Sequence, residues 1–279
     1  LRFIEERQGE YAAFLFMNFY FSQTVLGSVV APEKSILIPL AHPDKTLYLP
    51  INIPMFTRVR QIAFNTAAEM RLCRDAFGRH MAPWSIVGCG IEEATPAPWE
   101  QVREKYGLPD SYALYLGRVT PAKINDLIPR FIRYRREKNP AARLVLVGGI
   151  DPEIGRPDDE GVLLTGFVSE AEKSAIIRHA AVIINPSHLE SLSLLMLEAM
   201  AEQIPLLVNG RSEVMKDHCR MSGAALWYNN GRDFDRKLHR LLTDETLRAQ
   251  MCAKGPAYVR ERYAWETIID KLRTLIEAV

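Results

Sequence analysis

Short runs of Val, Ile, Leu and Ala that do not alternate with polar residues recur along the chain, and stretches with helical spacing separate them. In the first third, Ala13 to Met17, SILIPL (35–40), QIAFN (61–65) and SIVG (85–88) read as strands. IPMFTRVR (53–60) reads as a helix, and Thr66 with Glu69 three residues on carries the Thr-x-x-Glu signature of a capping box that opens another. Farther on, YALYLG (112–117), ARLVLVGG (142–149), VLLTG (162–166), AVIINPS (181–187), PLLVNG (205–210) and AALW (224–227) read as strands. Between them, DLIPRFIRYRREK (126–138) sets Leu127, Ile128, Phe131 and Ile132 on one helix face. Ser169 and Glu172 form a second capping box, and LSLLMLEAMAE (192–202) is a further helix. From Asp233 to Val279 the pattern is helical. Continuous apolar strands alternating with helices mean parallel strands buried on both faces, so the pattern predicts a doubly wound α/β chain. EEATPAPWE (92–100), with two prolines and little apolar periodicity, is the expected linker between two such units.

Length and composition agree with this reading. At about 150 residues per domain, 279 residues suggest two domains. A hydrophobic fraction of 48% with 25% charged residues excludes a disordered chain, a collagen and a disulfide miniprotein. Lys and Arg total 35 against 34 Asp and Glu, a balance that argues against a broad nucleic-acid-binding surface. Cysteines 73, 89, 219 and 252 form no Cys-x-x-Cys pair and no zinc spacing, which suits reduced thiols in a cytoplasmic protein. The uncharged stretch between Glu10 and Glu33 is long enough to cross a bilayer. Asn18, Ser22, Gln23, Thr24, Gly27 and Ser28 interrupt it, and it reads as a buried strand followed by a loop and a short segment. No secretory signal pattern is visible at the start.

Ligands of open α/β sheets bind at the carboxyl ends of the strands, so the loops after strands carry the candidate chemistry. Gly117 ends one strand, and Arg118 and Lys123 follow within six residues; two cations there suit a diphosphate, or are ordinary surface charges. Glu190 and Glu198 flank Ser191 and Ser193, where a helix begins. Glu198, expected about two turns into an apolar helix, could accept two ribose hydroxyls, or simply line an exposed face. His42 directly follows a strand and reads as a site residue or as a satisfied histidine. Asp233 and Asp235 read as the start of a helix, and not as a metal site. Arg133, Arg135, Arg136 and Lys138 read as a solvated basic face. Gly-x-Gly-x-x-Gly, a P-loop and a Gly-x-Ser-x-Gly elbow are all missing from the sequence.

These pieces in this order resemble the retaining glycosyltransferases of family 4, with the GT-B architecture of two Rossmann-like domains. The most specific part is Glu190-x7-Glu198 inside PSHLESLSLLMLEAMAEQIPLLVN. LGRVTPAK, ARLVLVGG, LLTGFVSEAEKSAIIRHAAVIINPS and ERYAWETIIDKL also match, and KSILIPLAH, AFNTAAE and VGCGIE match more loosely. The resemblance implies transfer of a hexose from a UDP- or GDP-type sugar to a glycan or lipid-linked acceptor, with retained anomeric configuration and no metal or cofactor. It implies that Arg118 and Lys123, after Gly117, neutralise the diphosphate and that Glu198 holds the ribose. Glu190 would lie beside the donor sugar, with backbone amides of Ser191, Leu192, Ser193 and Leu194 on sugar and phosphate. Phe167 and Val168 would contact the base, and His42 would lie near the transferred sugar. Partners would be donor and acceptor, with peripheral membrane contact at the inner face and no nucleic acid.

Two departures from the family pattern stand out. Its Glu-Gly-Phe-Gly is Glu190-Ser191-Leu192-Ser193 here, and its Asp-Glu-Pro after the histidine is Pro43-Asp44-Lys45. The implied organisation is an incomplete N-terminal, acceptor-side domain over 1–95, a donor-binding domain over 96–262, and a helix over 263–279 packing back on the first. Against a Rossmann-type unit of about six strands, roughly 100 residues are expected to be missing ahead of Leu1. Alternative readings are a non-catalytic nucleotide-sugar-binding module that needs a partner chain, and a GT-B epimerase or phosphorylase.

Overall fold

The computed structural model describes residues 1–92 and 94–279, and its backbone divides into two compact units. Leu1–Ile91, Leu189–Ser193 and Glu261–Val279 form the first; the second takes Glu92–His188 and Leu194–Arg260.

The first unit holds a parallel sheet of β1 (Phe14–Met17), β2 (Ser35–Ile38), β3 (Gln61–Phe64) and β4 (Trp84–Ile86), in that spatial order. Its helices are α1 (Arg2–Arg7), α2 (Ser22–Gly27), α3 (Ile53–Arg58) and α4 (Ala67–Phe77). Alternate strand residues serve two cores. Leu37, Ile62 and Phe64 pack with Met55 and Phe56 of α3, and the Phe56 ring stacks on Phe77 at 4.1 Å. Ile36 and Ala63 face the other way, toward Ile268 and Leu275 near the chain end. The uncharged stretch after Glu10 breaks into β1, a turn in which Asn18 has φ 70°, and the short α2. Among the described residues no helix is long and apolar enough to cross a membrane. The helix expected over 53–60 stops at Arg58 because Val59 is extended and Arg60 N–H turns to the carbonyls of Pro32 and Ser35.

Of the expected linker 92–100, residue 93 lies outside the described residues. Ala97 N–H donates to Ala171 O, and α5 (Trp99–Tyr106) starts inside the expected range. Then follow β5 (Ala113–Leu116), the single turn α6 (Pro121–Ile124), α7 (Leu127–Lys138), β6 (Leu144–Val147), β7 (Val162–Gly166), α8 (Glu170–Arg178), β8 (Val182–Asn185), α9 (Leu194–Ala201), β9 (Leu206–Asn209), α10 (Glu213–Ser222), β10 (Ala225–Tyr228), α11 (Gly231–Thr243), α12 (Glu245–Cys252) and α13 (Gly255–Tyr263). The last helix, α14 (Trp265–Glu277), sorts with the first unit and supplies Ile268 and Leu275 to its core.

The six strands β5 to β10 are parallel, in the order β10-β9-β8-β5-β6-β7. Leu127, Phe131 and Tyr134 of α7, with Phe234, Leu238 and Leu241 of α11, cover the face formed by Ala113, Leu144, Leu146 and Val182. The glycines closing β5 and β6 are a packing requirement. Gly117 and Gly148 both have φ 135°, and a Cβ on Gly148 would stand 2.1 Å from Gly117 O.

Three local expectations are corrected. The helix expected over 192–202 starts at Leu194, because Ser193 has φ 68° and a left-handed residue cannot continue an α-helix. The second half of the box at Thr66 is not made. Thr66 Oγ1 accepts Glu69 N–H, but the Glu69 carboxylate accepts from Ala41 and Asn65 instead of from Thr66 N–H. The basic run on α7 is solvated except at one residue: Arg133, Arg136 and Lys138 are exposed, whereas Arg135 is 12% exposed and paired with Asp159 and Glu160.

Candidate functional site

In the second unit β5 and β8 are neighbours, yet the chain leaves β5 toward β6 and leaves β8 toward β9. The order reverses between them, and in open α/β sheets such a reversal places the ligand crevice at the carboxyl ends of the two strands. Two loops flank it.

The loop after β5 is held by its backbone. Tyr115 Oη donates to Arg118 O at 2.9 Å, Val119 N–H to Gly149 O at 2.9 Å, and Lys123 N–H to Thr120 O at 3.0 Å. Val119 is buried as an anchor, while Arg118 is exposed and Lys123 half-buried. Neither cationic side chain has a hydrogen bond or ion pair among the described residues. The loop thus presents two free cations on a fixed frame at the crevice.

After β8, Asn185 Oδ1 accepts Ser187 N–H at 3.0 Å, and Pro186 O accepts one amide N–H from Asn125 and one from Asn209, each at 2.9 Å. These asparagines tie the loops after β5, β8 and β9 together. Glu198 lies about one turn into α9, closer to its start than the two turns expected, because the helix begins at Leu194. Its Oε1 accepts from Lys173 Nζ of α8 at 3.2 Å, and Lys173 also pairs with Glu170 at 2.6 Å. Its carboxylate keeps 27% of its side-chain surface. In the loop after β7, Phe167 is 87% exposed, a large ring left in solvent, and Val168 is half-buried. The adjoining Ser169–Glu172 capping box is complete. Lys105 Nζ beside Glu172, chief among its partners, holds that carboxyl down at about 2.

The other candidates belong to the first unit. His42 follows β2; its Nε2 is 3.0 Å from Tyr20 Oη and its Nδ1 is 3.4 Å from Leu40 O. A carbonyl only accepts, so the Leu40 contact calls for the proton on Nδ1, which leaves Nε2 facing a Tyr20 hydroxyl that also neighbours the Asp44 carboxylate. Burial pushes the Tyr20 hydroxyl up. Asp44 accepts from Thr46 N–H and Oγ1, which holds its carboxyl down and shapes the turn after His42. Glu190 and Ser191 are half-buried, and Leu192 and Ser193 are buried. Ser193 keeps a left-handed backbone although the glycine of the family pattern is replaced by serine. Thr66 Oγ1 donates to Ser191 O at 3.1 Å.

The candidates therefore fall into two groups. Gly117, Arg118, Lys123, Phe167, Val168, Leu194 and Glu198 lie in the second unit, and His42 with Glu190, Ser191, Leu192 and Ser193 in the first. Lys173, Tyr20, Thr66, Glu69 and the two asparagines on Pro186 were not singled out as site residues. Only the Thr-x-x-Glu spacing hinted at any of them. Among the described residues no cluster of His, Cys, Asp and Glu could hold a metal ion, and the four cysteines are unpaired.

With two parallel sheets under helices, the fold is α/β of the GT-B type, and solved structures match it along nearly the whole chain. Sucrose-phosphate synthase from Thermosynechococcus elongatus superposes with a TM-score of 0.79 at 17% identity, covering 98% of this chain and 75% of that one. Anabaena HepE in complex with UDP and glucose gives 0.77 at 12% identity, covering 99% and 80%. Residues 110–244 match the family described as Glycosyl transferases group 1. The chain is 25% identical over 240 residues to a D-inositol 3-phosphate glycosyltransferase of Nocardiopsis dassonvillei, covering 77% of this chain and 54% of the relative. It is 30% identical over 228 residues to the protein of that name in Kineococcus radiotolerans, covering 70% and 52%. The chain thus spans about half the length of these curated relatives.

Proposed function

We propose that the protein is a retaining glycosyltransferase that moves a hexose from a UDP- or GDP-type sugar to a glycan or lipid-linked acceptor. The observation that carries this reading is the fixed loop after β5, whose two unpaired cations stand at the strand-order switch. That loop lies inside the region matching the glycosyl transferases group 1 family. HepE, of like fold, was solved with UDP and glucose, which favours the UDP form of the donor.

In this reading the bond from the anomeric carbon to the diphosphate breaks, its electron pair leaves with the diphosphate, and an acceptor hydroxyl oxygen makes the new bond. Negative charge grows on the diphosphate as the bond breaks. Cations already in place beside it then stabilise the transition state more than the bound substrate. Arg118 supplies a planar fork and Lys123 a point charge. Glu198 accepts the ribose hydroxyls, with Lys173 orienting its carboxylate. Backbone amides of Ser191 to Leu194 serve sugar and phosphate, and Glu190 and His42 serve the transferred sugar. Phe167 and Val168 lie against the base, and no metal is required.

Calorimetric titration of the folded protein with UDP, GDP and ADP sugars tests the reading. Binding of one nucleotide class with a Kd of about 1 mM or tighter is expected. No heat with any of them refutes it.

A further inference from the structure

Glu69 is 1% exposed, has no cation beside it, and accepts two short backbone hydrogen bonds. Ala41 N–H reaches one carboxylate oxygen at 2.6 Å and Asn65 N–H the other at 2.6 Å. A helix cap alone does not call for this arrangement, since a capping-box glutamate returns to the cap residue's own N–H in water. Burying a carboxyl group is costly, and here its two oxygens join the end of β2 to the end of β3.

The residue that Glu69 holds on the β2 side immediately precedes His42. Leu40, one residue earlier still, has φ 53°, a left-handed conformation disfavoured for a branched side chain and kept only where neighbours over-determine it. Bonds on both sides of this turn, from Ala41 N–H to Glu69 and from His42 Nδ1 to Leu40 O, do so. The same helix end reaches the second segment of interest, because Thr66, the cap of α4, donates to Ser191 O next to Glu190.

We infer that Thr66 and Glu69 are positioning residues, fastening the His42 turn and the Glu190–Ser191 segment to one helix end so that the two keep a fixed relation. The inference rests on the glycosyltransferase reading for its consequence in turnover; the fastening itself does not.

The test compares E69Q, T66V and T66S with the parent chain. Glutamine keeps the shape of the side chain, but its NH2 must face one of the two N–H donors. Valine removes the Thr66 hydroxyl, and serine restores it. A misplacement of about 1 Å costs up to about 100-fold in rate, so kcat should fall about 10- to 100-fold in E69Q and T66V with donor KM within about twofold, and T66S should recover most of it. Nitrogen-15 spectra of the histidine rings should show His42 as the Nδ1–H tautomer in the parent and as a mixture in E69Q. If E69Q lowers only the melting temperature, with the His42 tautomer and kcat unchanged, Glu69 is merely structural and the inference is overturned. A parent ring in the Nε2–H form overturns it as well. Failure of the parent to turn over any nucleotide sugar would refute the transferase reading instead. The ring spectra of E69Q would still decide the fastening.

Discussion

Replacing Glu198 by alanine isolates the ribose contact. In the free protein the carboxylate is half-buried against Lys173 at 3.2 Å, with one oxygen engaged. Two hydrogen bonds from ribose hydroxyls to an ionised acceptor are worth about 2–4 kcal/mol together, so Glu198→Ala should weaken UDP binding about 30- to 1000-fold. The fold should survive. Lys173 keeps Glu170 at 2.6 Å, so no cation is stranded, and the stability change should stay within about 1 kcal/mol. Calorimetry with UDP and with 2′,3′-dideoxy-UDP, on the parent and on Glu198→Ala, closes a double cycle. The deoxy ligand should bind both proteins alike, and the coupling should recover most of the 2–4 kcal/mol estimated above. If Glu198→Ala loses as much affinity for the deoxy ligand as for UDP, the carboxylate acts on something other than the ribose and the assignment is wrong.

Arg118→Ala should lower kcat about 10- to 100-fold, the scale of one charge-assisted contact to the leaving group, and leave the melting temperature unchanged because the side chain has no protein partner; a fall in melting temperature without one in kcat would contradict its role. Gly148→Ala should cost about 2–4 kcal/mol in urea unfolding, since the added Cβ meets Gly117 O at 2.1 Å and the φ of 135° is disfavoured for alanine. Burial pushes the Glu69 carboxyl up to about 8 from 4.5, against the pull of the Asn65 and Ala41 amides. The folded chain therefore holds a proton that the unfolded chain has lost between those values. This contribution to stability is complete below pH 4.5 and is lost as the pH rises through about 8, an effect of a few kcal/mol. Urea midpoints measured from pH 4.5 to 8.5 should fall for the parent relative to Glu69→Gln, and parallel curves would contradict it.

The element pattern was legible because continuous Val/Ile/Leu runs under helices have one stable use, a parallel sheet. The sheet order β10-β9-β8-β5-β6-β7 was not, since each strand is equally apolar and nothing local says which neighbour it takes. Polar partners separate in the same way. Arg118 and Lys123 stand out as cations close behind a strand-ending glycine. The pairing of Glu198 with Lys173, and that of His42 with Tyr20, joins residues 25 and 22 positions apart and leaves no periodicity to detect. Local rules failed where a tertiary partner offered more than the local one. Thr66 and Glu69 have the spacing of a reciprocal cap, yet the buried N–H donors of Ala41 and Asn65 took the Glu69 carboxyl oxygens. Arg135 has the spacing of a solvated helix face, yet Asp159, 4% exposed, needed a cation and drew it inward. In both cases the larger penalty, an unsatisfied buried group, decided the outcome over a surface preference worth about 1 kcal/mol or less. The same accounting bears on Arg118 and Lys123: Asp159 is taken by Arg135 and Glu69 by backbone amides, and these two cations keep their charge available to an anion from outside.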